Sequence, residues 1–265
     1  RIWHVYMGAW QAGAFFVLSV SAFYILRNKH IDFAKASIKI ALLVAAAASV
    51  LQLVSGHSSA VGVAENQPAK MAAYEAHYDT GPADLYLFGW VNDDEERVQF
   101  GVKLPGMLSF LIYGDSQRPV TGLKEFKPED RPPVNVVFQS YHAMVAIGVG
   151  LILIAWLGLF LWWHNKLFSL RWLLWVFVLA VIGPQLANQL GWLSAEVGRQ
   201  PWIVYNLLRT SDGLSKVVSP GQVLTSIILF SLIYLLLLIL FIYLLNDKIQ
   251  HGPAAEDLDT ARHRA

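Results

Sequence analysis

The sequence predicts an all-α fold: a polytopic transmembrane helix bundle with five spans and one long outer loop. Of its 265 residues, 55% are hydrophobic and only 15% are charged. The apolar residues form runs longer than the core of a soluble domain needs, because a helix crosses the hydrocarbon layer with about 20 apolar residues. The five runs cover residues 5–26, 40–54, 136–163, 172–195 and 217–245.

The spans divide the chain into four parts. Residues 1–55 hold the first two spans and residues 134–250 hold the last three. The run 40–54 is short, but it can extend to His57. Residues 56–133 form the outer loop, which is far longer than an ordinary connection and is therefore expected to be functional.

Basic residues set the orientation of the bundle. They are concentrated in three segments on the same side of the membrane, so this side is predicted to be cytoplasmic. These residues are Arg27, Lys29, Lys35, Lys39, Lys166, Arg171, Lys248, Arg262 and Arg264. The loop 56–133 is then outside, and the polar residues 251–265 are expected to form a disordered cytoplasmic tail.

Composition excludes several functional classes. The chain has no cysteine, which excludes disulfides, iron–sulfur clusters and thiolate ligation of haem or zinc. The formal net charge is +1, so nothing indicates a nucleic-acid partner. The chain begins at Arg1, almost inside the first span and without an initiator methionine, so we expect a piece of a longer polypeptide.

The first and third spans carry residues that could ligate haem iron. His4 is followed one turn later by Gly8, and Met144 by Gly148. A histidine and a methionine form an axial ligand pair for electron-transferring haem, and a glycine one turn away leaves room for a flat ring. The alternatives are an interfacial histidine, glycines used for close helix packing and a methionine that only fills space. His142 lies two residues before Met144 and is a rival ligand.

The fourth span contains Gly183-Pro184, where we expect a kink. Beyond it, polar residues recur at steps of three and four and therefore share one helix face. This polar stripe consists of Gln185, Asn188, Gln189, Trp192 and Glu196. Ionisable groups at the end of a span normally face a cavity, a cofactor or the interior of a bundle. The alternative is a hydrogen-bonded seam between helices.

The outer loop contains a second candidate site. Gln67-Pro68 is a helix-start signal, and a short helix carrying Lys70 and Glu75 should follow it. The carboxylate could accept a proton from a phenolic substrate, and the ammonium could hold an oxygen of that substrate. The alternative is a solvated ion pair on a surface helix. Residues 106–113 are apolar but too short to cross, so we expect them along the membrane surface or within the loop.

Three segments of the chain resemble subunit I of the cytochrome bd quinol oxidases. They are Gln67-Pro-Ala-Lys70-Met-Ala-Ala-Tyr-Glu75-Ala, then Met144-Val, then Gly191-Trp192-Leu-Ser-Ala-Glu196-Val-Gly-Arg199-Gln-Pro-Trp202. Their order and spacing are similar to those of that family, and the resemblance covers nearly the whole chain except the tail. The chain is similar to the last five of the family's nine spans and to its short-loop branch.

The resemblance implies a set of haem ligands. His4 and Met144 look like the axial ligands of the low-spin haem b. Glu196 looks like a ligand of one of two high-spin haems, either haem b or haem d. Trp192 would pack against that haem, and Arg199 would pair with a haem propionate.

The resemblance also implies a quinol-oxidising site formed by Lys70 and Glu75, with Gln67 nearby. Ubiquinol or menaquinol would be oxidised at the outer, periplasmic face of the bacterial cytoplasmic (inner) membrane. Electrons would pass through the low-spin haem b to the high-spin pair, where O2 becomes water. A proton gradient would arise without pumping, because the consumed protons come from the cytoplasm. Subunit II and membrane lipid are the implied partners.

Two departures from the family matter. His142 stands where the family often has arginine, which changes the electrostatics expected near Met144. The family's first four spans, which carry another haem ligand and carboxylates for proton delivery, have no counterpart here, so we expect the chain to be inactive alone. The alternative function is a non-enzymatic transporter or channel that uses the stripe from Gln185 to Glu196.

Overall fold

The computed structural model describes residues 2–215 and 217–254, and helices dominate this part of the chain. Its helices are α1 (Ile2–Leu26), α2 (Ile31–Asn66), α3 (Pro68–Tyr74), α4 (Met107–Tyr113), α5 (Val134–Trp163), α6 (Arg171–Ala180), α7 (Ile182–Val197) and α8 (Pro220–His251). Its strands are β1 (Gly81–Pro82), β2 (Leu85–Asn92), β3 (Arg97–Leu104), β4 (Pro119–Val120), β5 (Trp202–Val204) and β6 (Leu208–Arg209). The strands pair two by two into antiparallel ribbons, β1 with β4, β2 with β3 and β5 with β6.

Five helical segments are long and apolar enough to cross a membrane, which confirms the five predicted spans. They are α1, α2, α5, the pair α6 and α7, and α8. The second helix differs from the expectation, because α2 continues to Asn66 and the expected loop boundary at residues 55–56 lies inside it. The polar residues of this last part of α2 lower its hydropathy without ending the helix. We call the end of the bundle that carries residues 67–133 the outer end, and the opposite end the inner end.

The core of the bundle lies between α1, α2, α5 and α6. Its largest fully buried side chains include Phe15, Leu18, Ile38, Leu42 and Phe177. The buried face of α2 consists mostly of alanines, and small residues let membrane helices approach closely. The polar groups buried here are hydrogen-bonded, as a membrane interior requires. Gln11 donates to the Ser49 hydroxyl over 3.1 Å, and the Ser19 hydroxyl donates to the Val178 carbonyl over 2.8 Å.

The fourth span is interrupted at Val181, between α6 and α7. Pro184 lies in the first turn of α7, where its missing N–H is tolerated. In the interior of a continuous helix the same proline would remove a hydrogen bond. The kink expected at Gly183-Pro184 is therefore confirmed. A Cβ added to Gly183 would lie 2.9 Å from Cδ2 of Leu151, so this glycine lets α7 approach α5.

The outer loop contains ordered structure that the sequence analysis only partly predicted. The short helix α3 begins at Pro68, as the helix-start signal indicates. α4 lies within the loop, with Leu108 and Ser109 buried. The β2–β3 hairpin was missed, and the acidic residues 93–96 form its turn. Two eight-residue runs rich in aromatic and β-branched residues flank that turn and would have predicted the hairpin.

The last helix, α8, buries none of its described side chains. It begins with a capping box in which the Ser219 hydroxyl accepts from the Gln222 N–H and the Gln222 side chain accepts from the Ser219 N–H. At the inner end the Tyr24 hydroxyl donates to the Ile249 carbonyl over 2.8 Å, which joins α8 to α1. The helix runs to His251, the first residue of the expected tail, and residues 255–265 of that tail lie outside the described residues.

Gly158 of α5 should tolerate no larger residue. A Cβ there would lie 2.7 Å from Cδ2 of Leu42 and 3.0 Å from Cζ of Phe177, so a side chain would separate α5 from α2 and α6. We expect Gly158→Val to destabilise the protein by about 1–3 kcal/mol, the usual range for overpacking, visible as a lower Tm of the purified protein. Gly150→Val is the matched control, because nothing in the described residues lies within 4 Å of a Cβ at Gly150. Equal losses in the two variants would contradict the prediction.

Candidate functional site

The loop helix α3 carries a buried lysine that reaches the membrane bundle. Lys70 is only 5% exposed, and its Nζ donates to the Ala195 carbonyl over 2.6 Å. This carbonyl belongs to the last turn of α7, where the helix dipole favours a positive charge. A Cβ added to Gly198 would lie 3.3 Å from Cγ of Lys70, so the glycine leaves room for the lysine stem.

Glu75 follows α3 and is buried beneath the hairpin. Its side chain is 1% exposed, and Oε2 lies 3.4 Å from the Tyr86 N–H nitrogen and 3.5 Å from Nε2 of His142. Burial raises the pKa of the Glu75 carboxyl above its ordinary value, although His142 and the Tyr86 N–H favour the charged form. Since Lys70 and Glu75 are both buried, the alternative of a solvated surface ion pair is wrong.

His142 belongs to the same cluster as Glu75. Its Nδ1 lies 2.9 Å from the Phe138 carbonyl, and its Nε2 lies 3.0 Å from the Tyr86 carbonyl. Both ring nitrogens therefore lie near backbone carbonyls, one on α5 and one on the hairpin, and the ring is held between these two elements. Stacking on Phe138 with ring centroids 3.9 Å apart fixes the ring further. These contacts hold His142 toward the loop, which argues against its expected role as a rival of Met144.

Gln67 precedes α3 and contributes an unused acceptor. Its backbone carbonyl accepts from the Lys70 and Met71 N–H groups and so starts the helix. Its side-chain Oε1 is buried and has no hydrogen-bond partner in the described residues. A buried amide oxygen without a partner costs free energy, so this atom is suited to a ligand that donates a hydrogen bond.

His4 of α1 faces the outer part of α2. Its Nδ1 lies 3.1 Å from the Ser55 hydroxyl and its Nε2 lies 3.1 Å from Nε2 of Gln52. With the Gln52 amide as donor, the Nε2 of His4 carries the lone pair that a metal ligand requires, and the iron would take the place of the Gln52 N–H. The Oε1 of Gln52 is buried without a partner in the described residues, so the polar groups around His4 are incompletely satisfied.

His4 and Met144 lie at a similar depth. A Cβ on Gly8 would lie 2.9 Å from Oδ1 of Asn188, which puts Gly8 level with that residue of α7. His4 lies one turn further out than Gly8 on α1, a rise of about 6 Å. Gly191 lies three residues further out than Asn188 on α7, a rise of about 4.5 Å. The Met144 sulfur lies 2.7 Å from a Cβ built on Gly191. The two candidate ligands are therefore level, as the sequence predicts.

The two glycines expected to leave slots behave differently. Asn188 fills the space beside Gly8, so the expected flat slot there is wrong and the glycine serves helix packing. Nothing in the described residues lies within 4 Å of a Cβ on Gly148, so the space one turn from Met144 is open.

Glu196 lies near the outer end of α7 and forms an ion pair with Arg199. Arg199 Nε is buried without a partner in the described residues, so the guanidinium keeps an unused donor. Trp192, one turn before Glu196, is 65% exposed. The expected pairing of Arg199 with a haem propionate stays a prediction.

The polar stripe of α7 lies open. Gln185, Asn188 and Gln189 are exposed and form no side-chain hydrogen bond within residues 2–215 and 217–254. The alternative of a hydrogen-bonded seam between the helices described here is therefore wrong. The open stripe runs along the face that also carries Trp192.

The donor atoms fit haem iron better than a bare ion. The described residues contain no cluster of three or more histidine, cysteine or carboxylate side chains that could hold a metal ion. An imidazole and a thioether on separate helices are instead typical single axial ligands of porphyrin iron, and Glu196 adds a carboxylate on a third helix. The open space at Gly148 and the unpartnered Gln52 Oε1 fit a bulky planar group with polar substituents.

The fold and these side chains define a helical membrane protein suited to holding haem. Residues 1–253 match the family model of the cytochrome bd terminal oxidase subunit I, so the chain belongs to this family. The cytochrome bd ubiquinol oxidase subunit 1 of Bacillus subtilis (strain 168) is 37% identical over 260 residues, which cover 94% of this chain and 56% of that protein. The cytochrome bd-II ubiquinol oxidase subunit 1 of Escherichia coli (strain K12) is 27% identical over 319 residues, covering 95% and 62%.

A solved structure supports the same assignment. The bd oxidase from Geobacillus thermodenitrificans superimposes with a TM-score of 0.84 at 29% identity, covering 95% of this chain and 58% of that chain. The chain thus spans a little over half the length of the relatives it matches.

The Glu75 carboxyl should stay protonated above its ordinary pKa of 4.5, because burial disfavours the carboxylate. Between the ordinary pKa of Glu75 in the unfolded chain and its raised pKa in the folded protein, the folded protein binds more protons than the unfolded chain. The free energy of unfolding therefore falls as pH rises through this range. We expect an infrared band of a protonated carboxylic acid above pH 4.5 that disappears in Glu75→Gln.

Glu95→Gln is the control for that measurement. Hydrogen bonds from Arg97 and Gln99 lower the pKa of Glu95, so this change should leave the band in place. A band that is absent from the unmodified protein, or that survives in Glu75→Gln, would contradict the assignment.

Proposed function

We propose that this chain is the part of a terminal respiratory oxidase subunit that oxidises quinol at the outer end and holds haem in the membrane. The observation that carries the proposal is the buried helix α3, whose lysine and following carboxyl group reach two different membrane helices. Lys70 lies on a seven-residue helix, and Glu75 directly follows that helix. Burying two ionisable groups lowers the stability of the protein, and buried ionisable groups cluster at functional sites.

Each quinol hydroxyl needs an acceptor, and one needs a base. Gln67 Oε1 is a buried acceptor without a partner in the described residues and can bind one hydroxyl. The ionised form of Glu75 accepts a hydroxyl proton, and its two contacts of 3.4 and 3.5 Å are long enough to be exchanged for the substrate. The Lys70 ammonium stabilises the negative charge that develops on the oxygen. The quinol becomes the quinone by losing two electrons, which bound haem would accept, and two protons, of which Glu75 takes one and solvent at the outer end takes the other.

His142 positions the base in this proposal. Its Nε2 lies between the Tyr86 carbonyl and the Glu75 carboxyl, so it ties the carboxyl to the hairpin and to α5 at once. A base held by packing and hydrogen bonds starts from the geometry that proton transfer requires.

His4 and Met144 are the residues that would hold the low-spin haem b. His4 offers the Nε2 electron pair, while its Nδ1 bonds to Ser55 and so fixes the ring. Met144 offers a soft thioether sulfur beside Gly191. When bound, the haems accept the electrons of the quinol and reduce O2 to water.

Glu196 would ligate a high-spin haem, either haem b or haem d. Its carboxylate is held by Arg199, whose spare Nε–H can bind a propionate oxygen. Trp192 offers an exposed indole for the porphyrin face. The open stripe of Gln185, Asn188 and Gln189 supplies donors and acceptors along the same face.

The proposal includes a direction for charge. The inner end carries the basic segments, so it faces the cytoplasm of a bacterium and the quinol loop faces outward. Protons released at Glu75 leave on the outer side, whereas the protons consumed in water formation come from inside, so charge is separated without a pump. Since the chain spans 56% of its Bacillus subtilis relative, further spans and a subunit II complete the enzyme.

The alternative is a transporter or channel that uses the polar stripe of α7. The stripe is exposed and makes no hydrogen bonds in the described residues, which a path for ions or protons also requires. A reduced-minus-oxidised optical spectrum separates the two functions, because an oxidase subunit shows b-type haem and a channel shows none.

Glu75→Gln should lower quinol-driven turnover of the intact oxidase by about 10²–10⁴-fold, since it removes the general base. Reduction of the haems by dithionite should be unchanged, because that reductant bypasses the loop. Glu95→Gln is the matched control: it neutralises an exposed carboxylate of the same loop and should turn over normally. Normal quinol oxidation in Glu75→Gln would make Glu75 a structural residue.

Met144→Leu should convert the low-spin haem to a high-spin one, because leucine keeps the volume but has no sulfur for the iron. The optical and electron paramagnetic resonance spectra of the intact oxidase report this change. Met7→Leu is the control, since Met7 is a buried methionine of α1 that the proposal gives no ligand role. An unchanged low-spin signal in Met144→Leu would remove Met144 as a ligand.

A further inference from the structure

The inner end of the bundle carries positive charge that this chain does not neutralise. None of its seven described lysines and arginines forms an ion pair within residues 2–215 and 217–254: Arg27, Lys29, Lys35, Lys39, Lys166, Arg171 and Lys248. The described acids at this end are Asp32 and Asp247, and Asp247 already faces His251. The inner end therefore attracts anions.

Two of these cations stand over aromatic rings where α2 meets the end of α5. The ammonium of Lys35 lies 5.6 Å from the ring centre of Phe168, and that of Lys39 lies 5.9 Å from the ring centre of Trp162. Such contacts hold an ammonium in place while its remaining donors stay free. The pair forms a fixed cationic site one helix turn long.

A groove starts at the same tryptophan. Trp162 lines a cavity of about 690 Å³ together with Trp156, Leu159, Phe160, Trp163 and Asn165. Trp156, Phe160 and Trp163 are 49%, 55% and 85% exposed. The groove therefore runs along the last turns of a membrane-spanning helix and is mostly apolar, and Trp162, one of its lining residues, also carries the Lys39 ammonium over its ring.

We propose that this groove binds an anionic phospholipid. An acyl chain lies along Trp156, Phe160 and Trp163, and the phosphate meets the ammonium groups of Lys35 and Lys39. The charge of the site selects the ligand, because basic pockets between membrane helices favour anionic headgroups over zwitterionic ones. A protein segment would need both an apolar surface and acidic side chains to match the same site.

The test uses the intact oxidase, purified in mild detergent and offered phosphatidylglycerol or phosphatidylcholine with identical acyl chains. Native mass spectrometry counts the bound lipid. We expect the unmodified enzyme to retain phosphatidylglycerol in preference to phosphatidylcholine. Lys35→Gln with Lys39→Gln should weaken phosphatidylglycerol binding about twenty-five-fold, from roughly fivefold for each lysine near an anionic group. If the double variant fails to assemble, Lys39→Gln alone should show the fivefold loss.

Lys29→Gln with Lys248→Gln is the matched control. It removes the same charge from the same end, but neither ammonium stands over Phe168 or Trp162, as those of Lys35 and Lys39 do, so binding should change by less than about twofold. Equal losses in the two double variants would mean diffuse attraction and overturn the site. Equal retention of the two lipids, or no retained lipid in the unmodified enzyme, would also overturn it.

Discussion

The buried ammonium of Lys70 holds the outer loop to the membrane bundle. Its bond to the Ala195 carbonyl satisfies an acceptor at the end of α7 that no helical N–H can reach, and it places positive charge at the negative end of the helix dipole. Because the ammonium is desolvated, it needs such a fixed acceptor. The close approach at Gly198 makes this geometry possible, since a larger residue would meet the lysine stem.

The loop helix α3 thereby couples the loop to α5 and α7, two of the three helices that carry candidate iron ligands on their outer halves. Lys70 contacts α7 at the residue before Glu196, and Glu75 contacts α5 through His142, two residues before Met144. A displacement of α3 would disturb both helix ends together. The proposed substrate chemistry in the loop and the proposed electron acceptance in the membrane would therefore be joined through buried contacts.

The spans and candidate ligands could be predicted from the sequence, whereas their surroundings could not. Hydropathy marks each span because lipid contact requires apolar residues along the whole length, and the break at Pro184 follows from its missing N–H. The burial of Glu75 depends on a hairpin that folds over it and on a histidine 67 positions further along the chain (142 − 75). The space beside Gly8 is filled by Asn188 from α7, a contact that local spacing does not encode.

Three of the four buried side-chain atoms that lack a partner in the described residues lie along the proposed path from quinol to oxygen; the fourth is the Tyr78 hydroxyl in the loop. Gln67 Oε1 lies beside α3, Gln52 Oε1 beside His4 and Arg199 Nε beside Glu196, and each is buried without a partner in the described residues. An unmade hydrogen bond of this kind costs about 1–3 kcal/mol, so a stable protein retains it where something else supplies the partner. Quinol hydroxyls can donate hydrogen bonds to amide oxygens, and haem propionates can accept hydrogen bonds from a guanidinium group. Both are therefore partners of the required kind. One physical requirement, the satisfaction of buried polar atoms, thus accounts for residues in three separate segments.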